Sequence, residues 1–249
     1  FNQLTGSNQH VGNFPGVTVE HKSGEAKGRK DCTIVDLPGI YSIRPYSGEE
    51  VVTRNFIIDN SPDAILNIAD ATNIERNLYL TLQLAEMGKP MVLALNMMDE
   101  LLGNHGSVNI EELSSRLGIP VLPISAAKND GVEELLELTM ETARKKQKPK
   151  KVDFCGAGPV HRCIHTVSHV VEDHADAIGV PSRFAATRVI EQDEEIIKRL
   201  GLSENELELV EHAALEMERE SGLDRNAALA DMRYRFIESA CADTVVKAQ

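Results

Sequence analysis

Met91-Val92-Leu93-Ala94-Leu95-Asn96-Met97-Met98-Asp99 is an apolar run that ends in a polar turn and a carboxylate. A run this short suits a strand buried on both faces, and Gly88-Lys89-Pro90 just before it punctuates the chain. Upstream of that punctuation, Ile74, Leu78, Leu82 and Ala85 fall on one helical face. Ala64 to Ala69, earlier still, reads as another short strand. Downstream, Asn109 with Glu112 caps a helix ending near Gly118, and Val121 to Ile124 is a strand. Asp130 with Glu133 caps a further helix carrying Val132, Leu135, Leu136, Met140 and Ala143. Strand and helix alternate with short connections, so the fold class is α/β, a mostly parallel sheet covered by helices.

The N-terminal part extends this pattern. Val17, Val19 and His21 alternate with polar residues, which predicts a strand. Gly24 to Lys30 is turn-like and charged, and Cys32 to Val35 is expected to form the partner strand of a hairpin. Ser47 and Glu50 form a capping box that starts a helix running to about Asp59. At the other end, the basic, proline-containing stretch Arg144 to Lys151 marks a boundary, giving domains at 1–148 and 149–249. Beyond it no strand pattern appears. Val167, Val170, Val171 and Ala175 recur at helical spacing, and Ser203 with Glu206 is another capping box, so the second domain is expected to be all-α.

Composition narrows the function. The 249 residues carry 26 Lys and Arg against 39 Asp and Glu, a net charge of −13, which argues against a nucleic-acid partner. Glu191 to Asp224 is the most acidic stretch and reads as a solvated helical face. No apolar run approaches the roughly 18 residues of a membrane span, and the neutral, polar N-terminus does not read as a signal peptide. Cys32, Cys155, Cys163 and Cys241 form no CxxC pair, which suits a reducing compartment.

Ligands of open α/β sheets bind at the carboxyl ends of the strands. The residues there are Asp36-Leu37-Pro38-Gly39, Asn96-Met97-Met98-Asp99 and Ser125-Ala126-Ala127-Lys128. Each alone is as compatible with a turn or a helix cap. Together, in this order, they point to a guanine-nucleotide site. Asp36 can hold a magnesium shell, and Gly39 lets a backbone N–H approach a γ-phosphate. Asp99 can accept hydrogen bonds from N1–H and the exocyclic amine of guanine, groups that adenine does not present. Asn96 can tie the loops together, and a backbone N–H of Ser125-Ala126-Ala127 can meet guanine O6. Upstream, Gly16-Val17-Thr18 offers a threonine that can reach magnesium when a γ-phosphate is present.

VGNFPGVTVE (Val11 to Glu20), DLPGIYSIRPYSGEE (Asp36 to Glu50), DATNIERNLYLTLQL (Asp70 to Leu84) and ALNMMD (Ala94 to Asp99) resemble the N-terminal cytosolic region of the bacterial ferrous-iron transporter family FeoB. The resemblance spans residues 1 to about 145, and the helical remainder is similar in placement and length to the family's helical regulatory domain. It implies a Ras-like GTPase sheet with flanking helices, then a small all-α domain, then a membrane-spanning part absent from this chain. It implies a location at the cytoplasmic face of the bacterial inner membrane. GTP and GDP would be the ligands and Mg2+ and K+ the cofactors, and self-association is left open. The nucleotide-binding residues would be Gly16, Val17, Thr18, Val19 and Glu20; Asp36, Leu37, Pro38 and Gly39; Asn96, Met97, Met98 and Asp99; and Ser125, Ala126 and Ala127. Thr18 and Gly39 would be catalytic, Thr18 and Asp36 would hold Mg2+, and the backbone carbonyls of Gly12 and Phe14 would hold K+. Met97 stands where most GTPases carry lysine, supplying an apolar stem. Ile40 follows Gly39, so a Ras-type water-positioning glutamine is absent there, and a monovalent cation would supply that electrostatic work.

One departure stands out. No stretch reads G-x-x-x-x-G-K-[ST], the loop that cradles phosphates. Phe1 to Gly6 looks like the end of the helix that follows such a loop. The expectation is a sequence cut short, with the first strand of the sheet also missing and with weak GTP binding by the chain as written. A non-catalytic regulatory module and a soluble ribosome- or tRNA-associated GTPase are the alternatives. Finally, Cys155, His161, Cys163, His165, His169 and His174 crowd one stretch, and His165, His169 and Asp173 share a helical face. That spacing can hold iron or zinc, but an amphipathic helix with ordinary histidines explains it better.

Overall fold

The computed structural model describes residues 1–6, 9–44 and 46–249; Pro45, inside the second resemblance motif, lies outside them. The chain divides into two units. The first comprises Phe1–Thr81, Lys89–Lys150 and Cys241–Gln249, and the second Leu82–Gly88 and Lys151–Ala240.

In the first unit, a short helix α1 (Asn2–Thr5) precedes three antiparallel strands, β1 (His10–Asn13), β2 (Glu20–Ala26) and β3 (Arg29–Asp36), in the order β1-β2-β3. The alternation at Val17, Val19 and His21 misplaces this region. Val17 and Thr18 sit in an exposed turn, and β2 begins only at Glu20. Pro15 offers no N–H to a ladder, and Gly16 takes a left-handed φ of +75°, so the chain turns there rather than extends. The turn expected over Gly24 to Lys30 shrinks to Lys27-Gly28, because β2 continues to Ala26 with its register shifting between Glu25 and Ala26.

Helix α2 (Gly48–Asn60) starts at Ser47, whose hydroxyl accepts the Glu50 N–H. Next come β4 (Ile65–Asp70), α3 (Ile74–Glu86), β5 (Met91–Asn96), α4 (Met98–Gly103), β6 (Ser107–Val108), α5 (Ile110–Leu117), β7 (Val121–Pro123) and α6 (Val132–Arg144). Strands β4, β5 and β7 form a parallel sheet in that order. Met91 to Leu95 of β5 are all buried, as a strand covered on both faces requires. Val92, Ala94, Ile124 and Leu135 make one cluster beneath α6, and Leu4, Ala26, Val132 and Leu136 make another. Asp130 does not cap α6. It pairs across the loop with Ser125, and Gly131 takes the cap position at φ +74°. A Cβ at Gly131 would lie 2.9 Å from the Pro123 carbonyl oxygen, so the loop closes there only around glycine.

Ile34 of β3 and Leu66 of β4 pack on the same cluster, yet among the described residues β3 pairs only with β2 and β4 only with β5. The sheet is therefore interrupted between them. The Ile65 N–H donates to the Pro90 carbonyl on the β5 side, so strand alternation turns the Leu66 and Ile68 amides away from β5. Ile68 is 48% exposed. The Leu66 and Ile68 amides are expected to exchange with deuterium at least about tenfold faster than those of Asn67 and Ala69. Residue-resolved exchange checks this, and equal protection along β4 would mean that its open edge is covered in solution.

In the second unit, α7 (Pro159–Ile178), α8 (Ser182–Ile190), α9 (Glu194–Leu200), α10 (Glu204–Ser221) and most of α11 (Arg225–Thr244) carry the chain. Ile164, Val167, Val171 and Ala175 line the buried face of α7 at helical spacing. Ser203 caps α10, its hydroxyl accepting the Glu206 N–H while the Glu206 carboxylate accepts the Ser203 N–H. A group of charges is also buried here. Arg233 Nη1 lies 2.9 Å from Glu191 Oε1 and its Nη2 lies 3.5 Å from Glu86 Oε2, while Arg188 Nη2 lies 2.6 Å from Glu191 Oε2.

The end of α11 returns to the first unit. Strand β8 (Val245–Val246) pairs with β6, and the Asn109 N–H donates to the Thr244 carbonyl at 2.7 Å. No helix among the described residues is long and apolar enough to cross a membrane.

Candidate functional site

Strand β5, central in the parallel sheet, delivers Asn96 to the sheet's carboxyl end, and the chain then turns sharply. Met97 takes a left-handed conformation, φ 63° and ψ 28°, which few side chains adopt and which costs on the order of 1 kcal/mol. This kink lets α4 start at once, with the Met98 N–H donating to the Ile124 carbonyl at 3.3 Å. Asp99 thus stands in the first turn of α4, half-buried, where the helix N-terminus favours a negative charge.

The loop after β7 is folded onto this turn. Asn96 Oδ1 accepts the Ala126 N–H at 2.9 Å, so one side chain ties the two loops. Gln3 Nε2 donates to the Ala126 carbonyl at 3.0 Å, bringing α1 to the same place. Ser125 and Asp130 exchange backbone hydrogen bonds of 3.0 Å, which closes the loop into a tight hairpin presenting Ala127 and Lys128 to solvent. Lys128 Nζ lies 3.0 Å from Asp99 Oδ2. The Lys128 ammonium, followed by the Ser125 hydroxyl, holds the Asp99 carboxyl below its ordinary range. Asp99 therefore stays an anionic acceptor throughout the neutral range.

Sequence reasoning assigned no role to Lys128 or Gln3, and it read Asp130 as a helix cap rather than as the partner that closes this loop. Lys128 lies in the quoted loop, but only the fold shows that it faces Asp99. Gln3 has no sequence signal for its place at all.

The other quoted residues lie on different strands. Asp36 ends β3 with an exposed carboxylate, followed by Leu37, Pro38 and an exposed Gly39 with open space around its Cα. Thr18 is exposed in the turn after Gly16 and Val17, and Val19 and Glu20 lead into β2. Gly12 is in β1, opposite His21. The Phe14 ring is buried edge-on against His21 and Phe56, and its carbonyl accepts the Val17 N–H at 3.3 Å. Asn96, Met97, Met98 and Asp99 are thus brought together with Ser125, Ala126 and Ala127. Asp36 remains at the end of the separate antiparallel sheet, and Thr18 in the turn that precedes β2.

Histidine spacing on α7 does not assemble a ligand set from His165, His169 and Asp173. His165 and His169 are exposed with their rings edge to face, and the one group of three among the described residues that can hold a metal ion is Asp153, Cys155 and His161.

Two family models match the chain, one described as Ferrous iron transport protein B over residues 1–139 and one described as FeoB cytosolic helical domain over residues 158–246. The chain is 36% identical over 246 residues to the Fe(2+) transporter FeoB of Escherichia coli K12, a match covering 97% of this chain and 31% of that protein. It is 34% identical over 255 residues to an Fe(2+) transport protein A/Fe(2+) transporter FeoB fusion protein of Porphyromonas gingivalis, covering 98% of this chain and 30% of the other. The chain thus spans about a third of the curated relatives it matches. Among solved structures, it superposes on a GDP-bound mutant of S. thermophilus NFeoB with a TM-score of 0.89 at 38% identity, covering 98% of this chain and 93% of that one. A structure of S. thermophilus NFeoB bound to GDP.AlF4- and K+ gives a TM-score of 0.84 at 40% identity, covering 97% and 93%. The fold is accordingly the Ras-like GTPase fold followed by a helical domain, and the chain belongs to the ferrous iron transport protein B family.

Proposed function

We propose that residues 1–148 form a guanine-nucleotide-binding GTPase domain, that 149–249 form its helical regulatory domain, and that together they regulate Fe2+ uptake by a transporter whose membrane part lies outside this chain. The observation that carries this reading is the Asn96–Ala126 tie, which joins the Asn96–Asp99 turn to the Ser125–Lys128 loop, with the Asp99 carboxylate 3.0 Å from Lys128 Nζ of that loop. A carboxylate and a neighbouring N–H are the complement of guanine's N1–H, exocyclic amine and O6. Adenine offers the opposite pattern, so Asp99 is the specificity residue. The apolar Met97 side chain suits the face of the base.

Thr18 and Asp36 offer an exposed hydroxyl and an exposed carboxylate, a hard oxygen set that fits Mg2+. Bound there, the ion would neutralise phosphate charge. The S. thermophilus neighbour with GDP.AlF4- and K+ supports K+ as the second cation, held by the backbone of Gly12 and Phe14. At Gly39 even an added Cβ would meet nothing within 4 Å, which leaves the backbone open to a terminal phosphate. Thr18 then orders its turn, and the release of Thr18 and Gly39 after hydrolysis returns the switch. With Ile40 in place of a water-positioning glutamine, turnover is expected on the order of 10⁻⁴ s⁻¹ without a further activator. The reading places the domain on the cytoplasmic side of the membrane.

Residues 1–249 contain no phosphate-cradling motif, so this chain is expected to bind the base selectively and the nucleotide weakly. The test is an NMR titration of the labelled chain with GDP and, separately, ADP, both with Mg2+. Amide shifts at Asn96–Asp99 and 125–127 with GDP alone support the reading. Equal shifts with ADP, or none at these positions, would overturn it.

A further inference from the structure

The stretch that leads into α7 carries a second constellation. Asp153, Cys155 and His161 each offer one donor atom, and these atoms all lie within 4.8 Å of one another. The geometry is built locally. Asp153 Oδ1 accepts the Cys155 N–H at 2.9 Å, which curls the segment so that carboxylate and thiol point the same way. Gly156-Ala157-Gly158 then reverses the chain, and α7 brings His161 round in its first turn. The His161 Nδ1 atom is shielded from solvent and makes no hydrogen bond among the described residues. Asp153 Oδ2 stands 3.7 Å from it, beyond hydrogen-bond reach. A ring nitrogen aimed at a carboxylate and a thiol, and satisfied by neither, is a donor facing an open position.

We propose that Asp153, Cys155 and His161 bind a divalent transition-metal ion of the Zn2+ and Fe2+ class, with a fourth position left to water. The donor set is one sulfur, one imidazole nitrogen and one carboxylate oxygen. That mixture suits borderline-soft ions and is poorly suited to Mg2+ or Ca2+, which take oxygen. Three protein ligands with an open fourth position describe an exchangeable site rather than a closed structural one. Cys155 gives up its thiol proton to solvent as the metal–sulfur bond forms.

Arg183, from the first turn of α8, now occupies the cation's side of the group. Its Nη2 lies 3.3 Å from Asp153 Oδ1 and 3.7 Å from Cys155 Sγ, while its buried Nε has no partner among the described residues. The guanidinium neutralises the carboxylate in the free chain and must withdraw when a metal ion arrives. The site is therefore set between two cations, one built in and one exchangeable. Cys163, further along α7, is an internal control: it is buried, and desolvation pushes its thiol up to about 11. Cys32 is a second control, a half-exposed thiol in the first unit.

The experiment is a titration of the reduced 249-residue chain with Co2+, followed by thiolate-to-cobalt charge-transfer absorption. Saturation at one equivalent is expected. Cys155→Ser should abolish the absorption, and His161→Ala should weaken binding at least about tenfold. Cys32→Ser and Cys163→Ser should change neither. Arg183→Gln should tighten binding several-fold, because it removes the competing charge while Cys155 stays intact, so this arm reports even if Cys155→Ser fails to fold. Zn2+ should displace Co2+ and quench the absorption, whereas Fe2+, added without oxygen, should compete more weakly than Zn2+. Absence of charge-transfer absorption, its survival in Cys155→Ser, or unchanged or weaker binding in Arg183→Gln would overturn the assignment.

Discussion

Replacing Arg233 with methionine is expected to destabilise the helical unit by about 3–5 kcal/mol. The Arg233 side chain is fully buried, as are Arg188, Glu86 and Glu191 within a few per cent. Two guanidiniums and two carboxylates thus cancel in a space that water does not reach. Cutting out Arg233 leaves two buried carboxylates facing one remaining cation, and Glu86 then loses an ion-pair partner. Arg233→Lys should recover only part of the loss, since an ammonium cannot fork towards Glu191 and Glu86 at once. Arg233→Met combined with Glu86→Gln should be more stable than Arg233→Met alone, because the second change removes the stranded charge. Urea unfolding followed by far-ultraviolet circular dichroism measures all four chains. A loss below about 1 kcal/mol for Arg233→Met would show that the buried charges are solvated in solution.

The second large effect concerns the base. Asp99→Asn should cost guanine-nucleotide binding roughly a hundredfold, because it replaces a charged acceptor of two hydrogen bonds by a carboxamide that offers one acceptor and one clashing donor. Two charge-assisted hydrogen bonds at about 1.5 kcal/mol each correspond to roughly that factor. The same substitution should create a preference for xanthosine diphosphate, whose C2 carbonyl accepts from the new amide. In the NMR titration, the responses of residues 96–99 to GDP should vanish and responses to xanthosine diphosphate should appear. Retention of GDP responses would remove Asp99 from the proposed role. Asn96→Ala should weaken binding less, because it frees the Ala126 loop without removing a base contact.

Much of the fold was legible because burial leaves a plain mark. The continuous apolar run of β5 and the one-sided stripe of α3 were read within a residue or so. Ser47, Asn109 and Ser203 each cap the helix they were expected to cap. Misreadings cluster where two physical signals compete. Val17 to His21 has a strand's alternation, but Pro15-Gly16 overrides it. Asp130-x-x-Glu133 has the spacing of a cap, but the tight loop closing on Ser125 takes Asp130 away. Strands β6 and β8 are two residues each and pair across more than half the chain, so no local pattern could announce them. Helix α4 was missed because its start depends on the unusual backbone of Met97.

The candidate base site was legible at the level of motif, and its tie was not. Asn96 and Asp99 could be chosen from spacing, whereas Lys128 and Gln3 are partners that only folding supplies. The metal-ligand group shows the converse. Helical arithmetic singled out His165, His169 and Asp173, which share a face but project into solvent. The group that does converge takes two members from the irregular segment before α7, where periodicity has nothing to say.

The clasp of β8 on β6 has a mechanical meaning. Two residues on each side make a ladder of only a few hydrogen bonds, each worth about 1 kcal/mol. Traction on the C-terminal end of the chain would load this clasp together with the few contacts of the last three residues. Strand β6 follows α4 after only a short turn, in which the Asn104 carbonyl also accepts the Gln249 N–H. A pull on that end is thus delivered within a few residues of Asp99, through a strand pair only two residues long.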